Sequence, residues 1–167
     1  AFRLYDPKGS TANLLARLGA TFKTVTIADI EGLSPETALI IGAHAADPEL
    51  LAKRKALNDY IIKGGRVLLF EQTEHPPCSR SAAFIRAPGH PIFKGLPEHL
   101  YFWRTSVYEM CGSGIGSTPS TRQIPLAEVV GGAVNLTYSD YTPVISENLA
   151  GKGKAIFCNL NVTDACL

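Results

Sequence analysis

At 167 residues, 46% hydrophobic and 19% charged, the chain is long enough to bury a core without metal or disulfide staples, and it is neither disordered nor fibrous. Sixteen basic against fifteen acidic residues leave a net charge of +1. These charges are scattered and form no basic block, which argues against nucleic acid as a partner. No apolar run reaches the length needed to cross a bilayer, so no membrane partner is expected either.

Phe2-Arg3-Leu4-Tyr5 predicts a first strand, and Asp6-Pro7-Lys8-Gly9 turns it into a helix from about Ser10 to Leu18. Leu14, Leu15 and Leu18 are expected to face the sheet. Gly19 ends that helix, and Phe22 to Ile27 carries the β-branched alternation of a second strand. A polar connection from Ile30 to Thr37 leads to Ala38. Leu39-Ile40-Ile41 and Val67-Leu68-Leu69-Phe70 are apolar without alternation, the pattern of strands covered on both faces. Between them, Asp47 is placed to cap a helix, Pro48 suits its first position, and Gly64-Gly65 supplies a left-handed exit. Leu50, Leu57 and Ile61 recur on one face of that helix. The order β-α-β-β-α-β predicts an α/β three-layer sandwich with a mostly parallel central sheet and a right-handed crossover in the middle.

After Phe70, Gly, Pro and Ser become frequent and helical periodicity stops. Thr73 to Arg80 is expected to be a loop, and Ala82 to Arg86 a short strand. The aromatic segment Leu100 to Arg104 suits core or edge-strand packing. Further strands are expected at Ala127 to Val130, Thr142 to Ile145 and Lys154 to Leu160, antiparallel toward the C-terminus. Ala150-Gly151-Lys152-Gly153 makes a hairpin turn before the last of them. No repeat or linker divides the chain, so residues 1–167 read as one domain. The single methionine at Met110 and the strand-like start at Phe2 suggest a piece cut from a longer polypeptide.

In an open parallel sheet, ligands bind beyond the carboxyl ends of the strands. The ligand-edge candidates are therefore Asp6, Ser10, His44, Glu71, Gln72 and His75. Lys8-Gly9-Ser10-Thr11 could hold an anion at a helix start, but it lacks the glycine spacing of a phosphate loop and reads as an ordinary helix cap. Asp6 and Glu71 could form an acid/base pair, and His44 or His75 a general base; surface and capping roles are the default for each. Cys78, Cys111, Cys158 and Cys166 show no metal-ligand spacing, so neither metal nor cofactor is expected. Cys158, inside an apolar strand, reads as a small core residue. Four cysteines allow three pairings, and the sequence does not choose among them.

Several stretches together resemble a known group. They are Asp6 to Gly19, the Leu39-Ile40-Ile41-Gly42 strand end, Tyr60-Ile61-Ile62-Lys63-Gly64-Gly65-Arg66-Val67-Leu68, His90 to Leu96, and Gly151 to Leu160. In this order they resemble the class I glutamine amidotransferase-like superfamily, and within it the domains appended to bacterial glycoside hydrolases, such as the trimerisation domain of some β-galactosidases. Catalytic members carry a Gly-x-Cys-x-Gly elbow after the central strand, with a thiolate at a helix start. Here that strand runs into Glu71-Gln72-Thr73, and no His-x-Glu pair follows; the closing strand reads Asn159-Leu160-Asn161-Val162. The resemblance thus implies no catalytic residue in the chain. It implies an accessory or oligomerisation domain whose partners are a catalytic domain of the same polypeptide or neighbouring subunits, with carbohydrate as a candidate ligand. The alternative is a stand-alone hydrolase that uses acid/base residues at the strand edge.

Overall fold

The computed structural model describes residues 2–72, 79–96, 99–104, 115, 121–130 and 141–160. Strands β1 (Phe2–Tyr5), β2 (Phe22–Thr24), β3 (Ala38–Ile41) and β4 (Arg66–Leu69) alternate with helices α1 (Ser10–Arg17), α2 (Pro48–Ala52) and α3 (Arg54–Ile62). Then come β5 (Ser79–Ile85), β6 (His99–Arg104), β7 (Arg122–Val130), β8 (Tyr141–Ala150) and β9 (Gly153–Cys158), with 3-10 turns at Ile27–Gly32 and Pro91–Phe93. All nine strands join one sheet in the order β2-β1-β3-β4-β9-β8-β7-β5-β6.

The expectation of a mostly parallel sheet needs correcting. The pairings of β1 with β2 and β3, of β3 with β4 and of β4 with β9 are parallel. Those of β9 with β8, β8 with β7, and β5 with β6 and β7 are antiparallel, so the described sheet is half and half. The reason is in the sequence after Phe70. The clearest case is the Gly151-Lys152 turn between β8 and β9, which is too short for a crossover and forces an antiparallel ladder. β9 is the seam, parallel to β4 on one edge and antiparallel to β8 on the other.

From β1 the chain crosses outward to β2, and from β3 it crosses the other way to β4, so right-handed crossovers set α1 and the α2–α3 pair on opposite faces. Burial agrees. On one face Leu39, Ile41, Val67, Leu69, Ala155 and Phe157 pack with Ile30, Leu50, Leu57, Tyr60 and Ile61. Leu4 and Ile40, of opposite parity, are buried on the other. Each buried Leu or Ile of this kind contributes roughly 1.5–3 kcal/mol of transfer free energy. A second cluster, with Ala83, Phe93, Leu126, Val144 and Ile145, forms the core of the antiparallel half, and Cys158 packs against it.

Four local differences from the sequence reading have physical causes. β2 stops at Thr24 because Thr26 starts a capped 3-10 turn: Asp29 Oδ2 accepts from Thr26 N at 2.7 Å. The central helix is broken at Lys53, which closes α2 and opens α3. Leu18 is 72% exposed because it is the C-cap residue of α1, past the last helical turn. β7 begins earlier and β8 runs longer than expected, since ladder bonding extends pairing into their polar ends, whereas β9 ends at Cys158, short of the expected Leu160. Other expectations stand: Asp47 Oδ1 accepts from Leu50 N at 2.8 Å with Pro48 at the helix start, and β6 lies at the sheet edge.

Gly153 shows why the final hairpin has its composition. A β-carbon there would run into the backbone oxygens of Ile61 and Gly65, so the β8–β9 turn sits directly on the end of α3. Lys152 N donates to Ile62 O at 3.0 Å, and Lys154 N to Gly65 O at 3.1 Å.

Candidate functional site

The order β1-β3-β4 places three strand exits side by side, and backbone bonding continues past the strands. Gly42 N donates to Tyr5 O at 2.8 Å, Phe70 N to Ile41 O at 3.0 Å and His44 N to Glu71 O at 2.8 Å. The sequence candidates Asp6, His44, Glu71 and Gln72 therefore lie at one edge, and α1 begins beside it. His75 lies outside the described residues.

Asp6 takes the capping role that the sequence reading assigned to Lys8–Thr11. Gly9 opens α1 at φ 80° with no side-chain cap, and Asp6 Oδ2 instead accepts from Ala12 N at 2.7 Å. Its other oxygen lies over Gly42, where a β-carbon would come within 2.6 Å of Oδ1. Glycine is thus required at position 42 by close approach. Thr11, fully buried, accepts from Ala43 N at 2.8 Å through Oγ1 and fastens the helix to the loop after β3.

His44 has φ 55°, a left-handed conformation that costs a non-glycine residue on the order of 1–3 kcal/mol unless its surroundings enforce it. They do. Besides the bonds to Ala43 N and His44 N, the Gln72 carboxamide spans the loop, with Nε2 donating to Gly42 O at 2.9 Å and Oε1 accepting from Ala46 N at 2.7 Å. Gln72 is therefore a clamp whose polar atoms are spent on backbone. Glu71 is 2% exposed, and its charge adds to burial in pushing the neighbouring Cys158 thiol up to about 11. Asp6 Oδ1, Ser10 Oγ and His44 Nδ1 are among the buried polar atoms of the described residues that have no hydrogen-bond partner.

Sequence reasoning missed a second polar cluster on the antiparallel half. Glu147, 7% exposed on β8, accepts from Lys154 Nζ at 2.6 Å and lies 3.4 Å from His90 Nε2. Burial pushes its carboxyl up, but Lys154, by hydrogen bond and charge, together with His90 outweighs this and holds it below the usual glutamate range. His90 Nδ1 accepts from Ile92 N at 3.3 Å and caps the 3-10 turn, so the ring proton belongs on Nε2, toward Glu147. The available signal was Ser146-Glu147-Asn148, three polar residues inside an otherwise apolar strand. A half-open cleft of about 180 Å³, lined by Arg3, Lys23, Val25, Asp29 and Leu33 among others, contains none of the sequence candidates. Among the described residues no group of three His, Cys, Asp or Glu could hold a metal ion, and no helix is long and apolar enough to cross a membrane.

A half-parallel sheet with crossover helices and side-by-side strand exits defines an α/β domain with a mixed sheet. Solved structures agree at the level of fold: the chain matches a protein described as ThuA-like from Bacteroides uniformis ATCC 8492 with a TM-score of 0.54 and 13% identity, over 95% of this chain and 80% of that one. It is also similar to the exo-β-1,4-mannosidase Op5Man5 from Opitutaceae bacterium strain TAV5, with a TM-score of 0.47 and 12% identity, over 99% of this chain and 32% of that one. The chain matches no protein-family model and no curated protein sequence.

Proposed function

We propose that the chain is a non-catalytic accessory or oligomerisation domain of a carbohydrate-active enzyme, a glycoside hydrolase whose acid and nucleophile lie outside it. The observation that carries this reading is at the exit of β4. A cysteine nucleophile in this fold class needs a sharp turn that exposes the thiol at a helix start, where the dipole lowers its pKa. That position is filled by a buried glutamate and by a glutamine tied to Gly42 and Ala46. The cysteine among the described residues, Cys158, is pushed the other way, to about 11, where it is protonated and inert at neutral pH. The glycoside hydrolase setting rests on the motif resemblance from Asp6 to Leu160.

Removing residues 1–167 from the full-length polypeptide tests the reading. The expected result is retained glycosidic bond cleavage with a lower subunit number by sedimentation. Unchanged assembly, or a polypeptide with no catalytic domain beyond these residues, contradicts it.

A further inference from the structure

We propose that the cleft between the outer edge of the sheet and the Ile27–Gly32 turn binds a small organic monoanion, a carboxylate with a short apolar body, through Arg3 and Lys23. The inference goes beyond the accessory role and does not depend on it. Its first basis is a charge arrangement that opposes folding. Arg3 on β1 and Lys23 on β2 are register partners in a parallel ladder, so both side chains leave the same face of the sheet at neighbouring positions. Like charges directly opposite one another on paired strands are destabilising. Among the described residues neither side chain has a salt bridge that relieves the repulsion. The acids of the adjoining turn are engaged elsewhere: Asp29 Oδ2 accepts from Thr26 N and Thr26 Oγ1, both at 2.7 Å, and Glu31 pairs with Lys53.

The second basis is space. Arg3 and Lys23 line the half-open cleft of about 180 Å³ whose other walls include Val25, Asp29 and Leu33. Val25 is buried and Leu33 packs against the core, so one wall is apolar and fixed. The ligand class follows from charge and shape. Hydrogen bonds from Thr26 hold the Asp29 carboxyl below the usual aspartate range, and the charges of Lys23 and Arg3 add to this, so Asp29 is ionised at neutral pH. Two cations against one carboxylate leave the cleft with a net charge of +1, which a monoanion balances and a phosphate dianion reverses. The guanidinium fork of Arg3 matches the two oxygens of a carboxylate, and Lys23 adds a compact point charge. The Val25 and Leu33 wall takes the apolar body.

Backbone-amide NMR on the 167-residue chain, titrated separately with isobutyrate, inorganic phosphate and methylammonium, tests this. Isobutyrate is expected to shift the amides of Lys23, Val25 and Leu33 saturably. Arg3→Gln and Lys23→Gln are each expected to weaken that binding about threefold or more. Their melting temperatures are expected to hold or rise, because the repulsion across the strands is gone. Asp29→Asn keeps an acceptor for Thr26 N and removes the opposing charge, so it is expected to tighten binding, a change of sign that a purely structural cluster would not give. The proposal is overturned if isobutyrate shifts none of these amides, if phosphate or methylammonium binds in its place, or if both Gln variants bind as the parent does. It is equally overturned if Lys23→Gln raises the subunit number while the parent binds no anion, the mark of a lysine that only guards an edge strand. None of these results touches the accessory role, which is read from assembly of the full-length polypeptide.

Discussion

Gln72 Nε2 donates to Gly42 O at 2.9 Å, so the exit of β4 is laced to the exit of β3 by a single side chain. The same carboxamide accepts from Ala46 N at 2.7 Å. Replacing Gln72 with Ala strands Gly42 O and Ala46 N, and buried groups that lose partners cost about 1–3 kcal/mol each. Gln72→Ala is therefore expected to lower unfolding free energy by about 2–4 kcal/mol in urea titration. Gln72→Glu, which cannot donate to Gly42 O, is expected to be destabilising as well. A change below about 0.5 kcal/mol for both would show that the clamp is incidental.

The turn between β8 and β9 supplies a steric test. Gly153→Ala forces a methyl group against the Ile61 and Gly65 backbone oxygens, which cannot rotate away. A loss of about 3 kcal/mol or more in thermal or chemical unfolding is expected. Gly89→Ala meets nothing within 4 Å and is the control, with a change of about 0.5 kcal/mol or less.

Glu147 makes stability depend on acid. Its folded-state pKa is lowered, so the stabilisation it gives is present above the ordinary glutamate range and is lost as pH falls through the lower folded value. Lys154→Met removes the partner at 2.6 Å and leaves a buried carboxylate with His90 alone. With Lys154 partly exposed, solvent screening limits the cost to about 1–3 kcal/mol at pH 7. The variant is expected to lose less stability than the parent between pH 5 and 3, measured by urea midpoints across that range. Parallel curves would rule out the assigned coupling.

Tyr5 gives the opposite sign at high pH. Burial, followed by the charge and hydrogen bond of Asp47, pushes its phenol up to about 12 from an ordinary value near 10. The folded state holds this proton longer than the unfolded chain, so the stabilisation is whole below pH 10 and is lost as pH rises through about 12. Spectrophotometric titration is expected to show Tyr5 ionising late, alongside Tyr60, whose phenol is also raised by burial, and Asp47→Asn is expected to bring Tyr5 down. A late-titrating amplitude that is unchanged in Tyr5→Phe would contradict the assignment.

The β-α-β-β-α-β half was legible because its signals are local: uninterrupted apolar runs for β3 and β4, Asp47-Pro48 at a helix start, and glycines at its end. The antiparallel half was less legible. Its strands pair through ladders set by distant residues, as Arg122 with Leu149, and burial along β8 does not alternate in a way that marks its ends. At the strand edge, sequence identified Asp6, Ser10, His44, Glu71 and Gln72 because each follows a strand or opens a helix. It did not separate their tasks. That Gln72 is consumed by backbone while His44 Nδ1 is left over depends on a left-handed residue two positions beyond Gly42, which no spacing rule shows.

The central claim, that the exit of β4 carries a structural clamp and no nucleophile, is tested most directly by incubating the purified 167-residue chain with glutamine and with nitrophenyl glycosides. Release of ammonia and nitrophenol indistinguishable from buffer is expected. Turnover of either substrate that disappears in Glu71→Gln or Cys158→Ala would contradict the account.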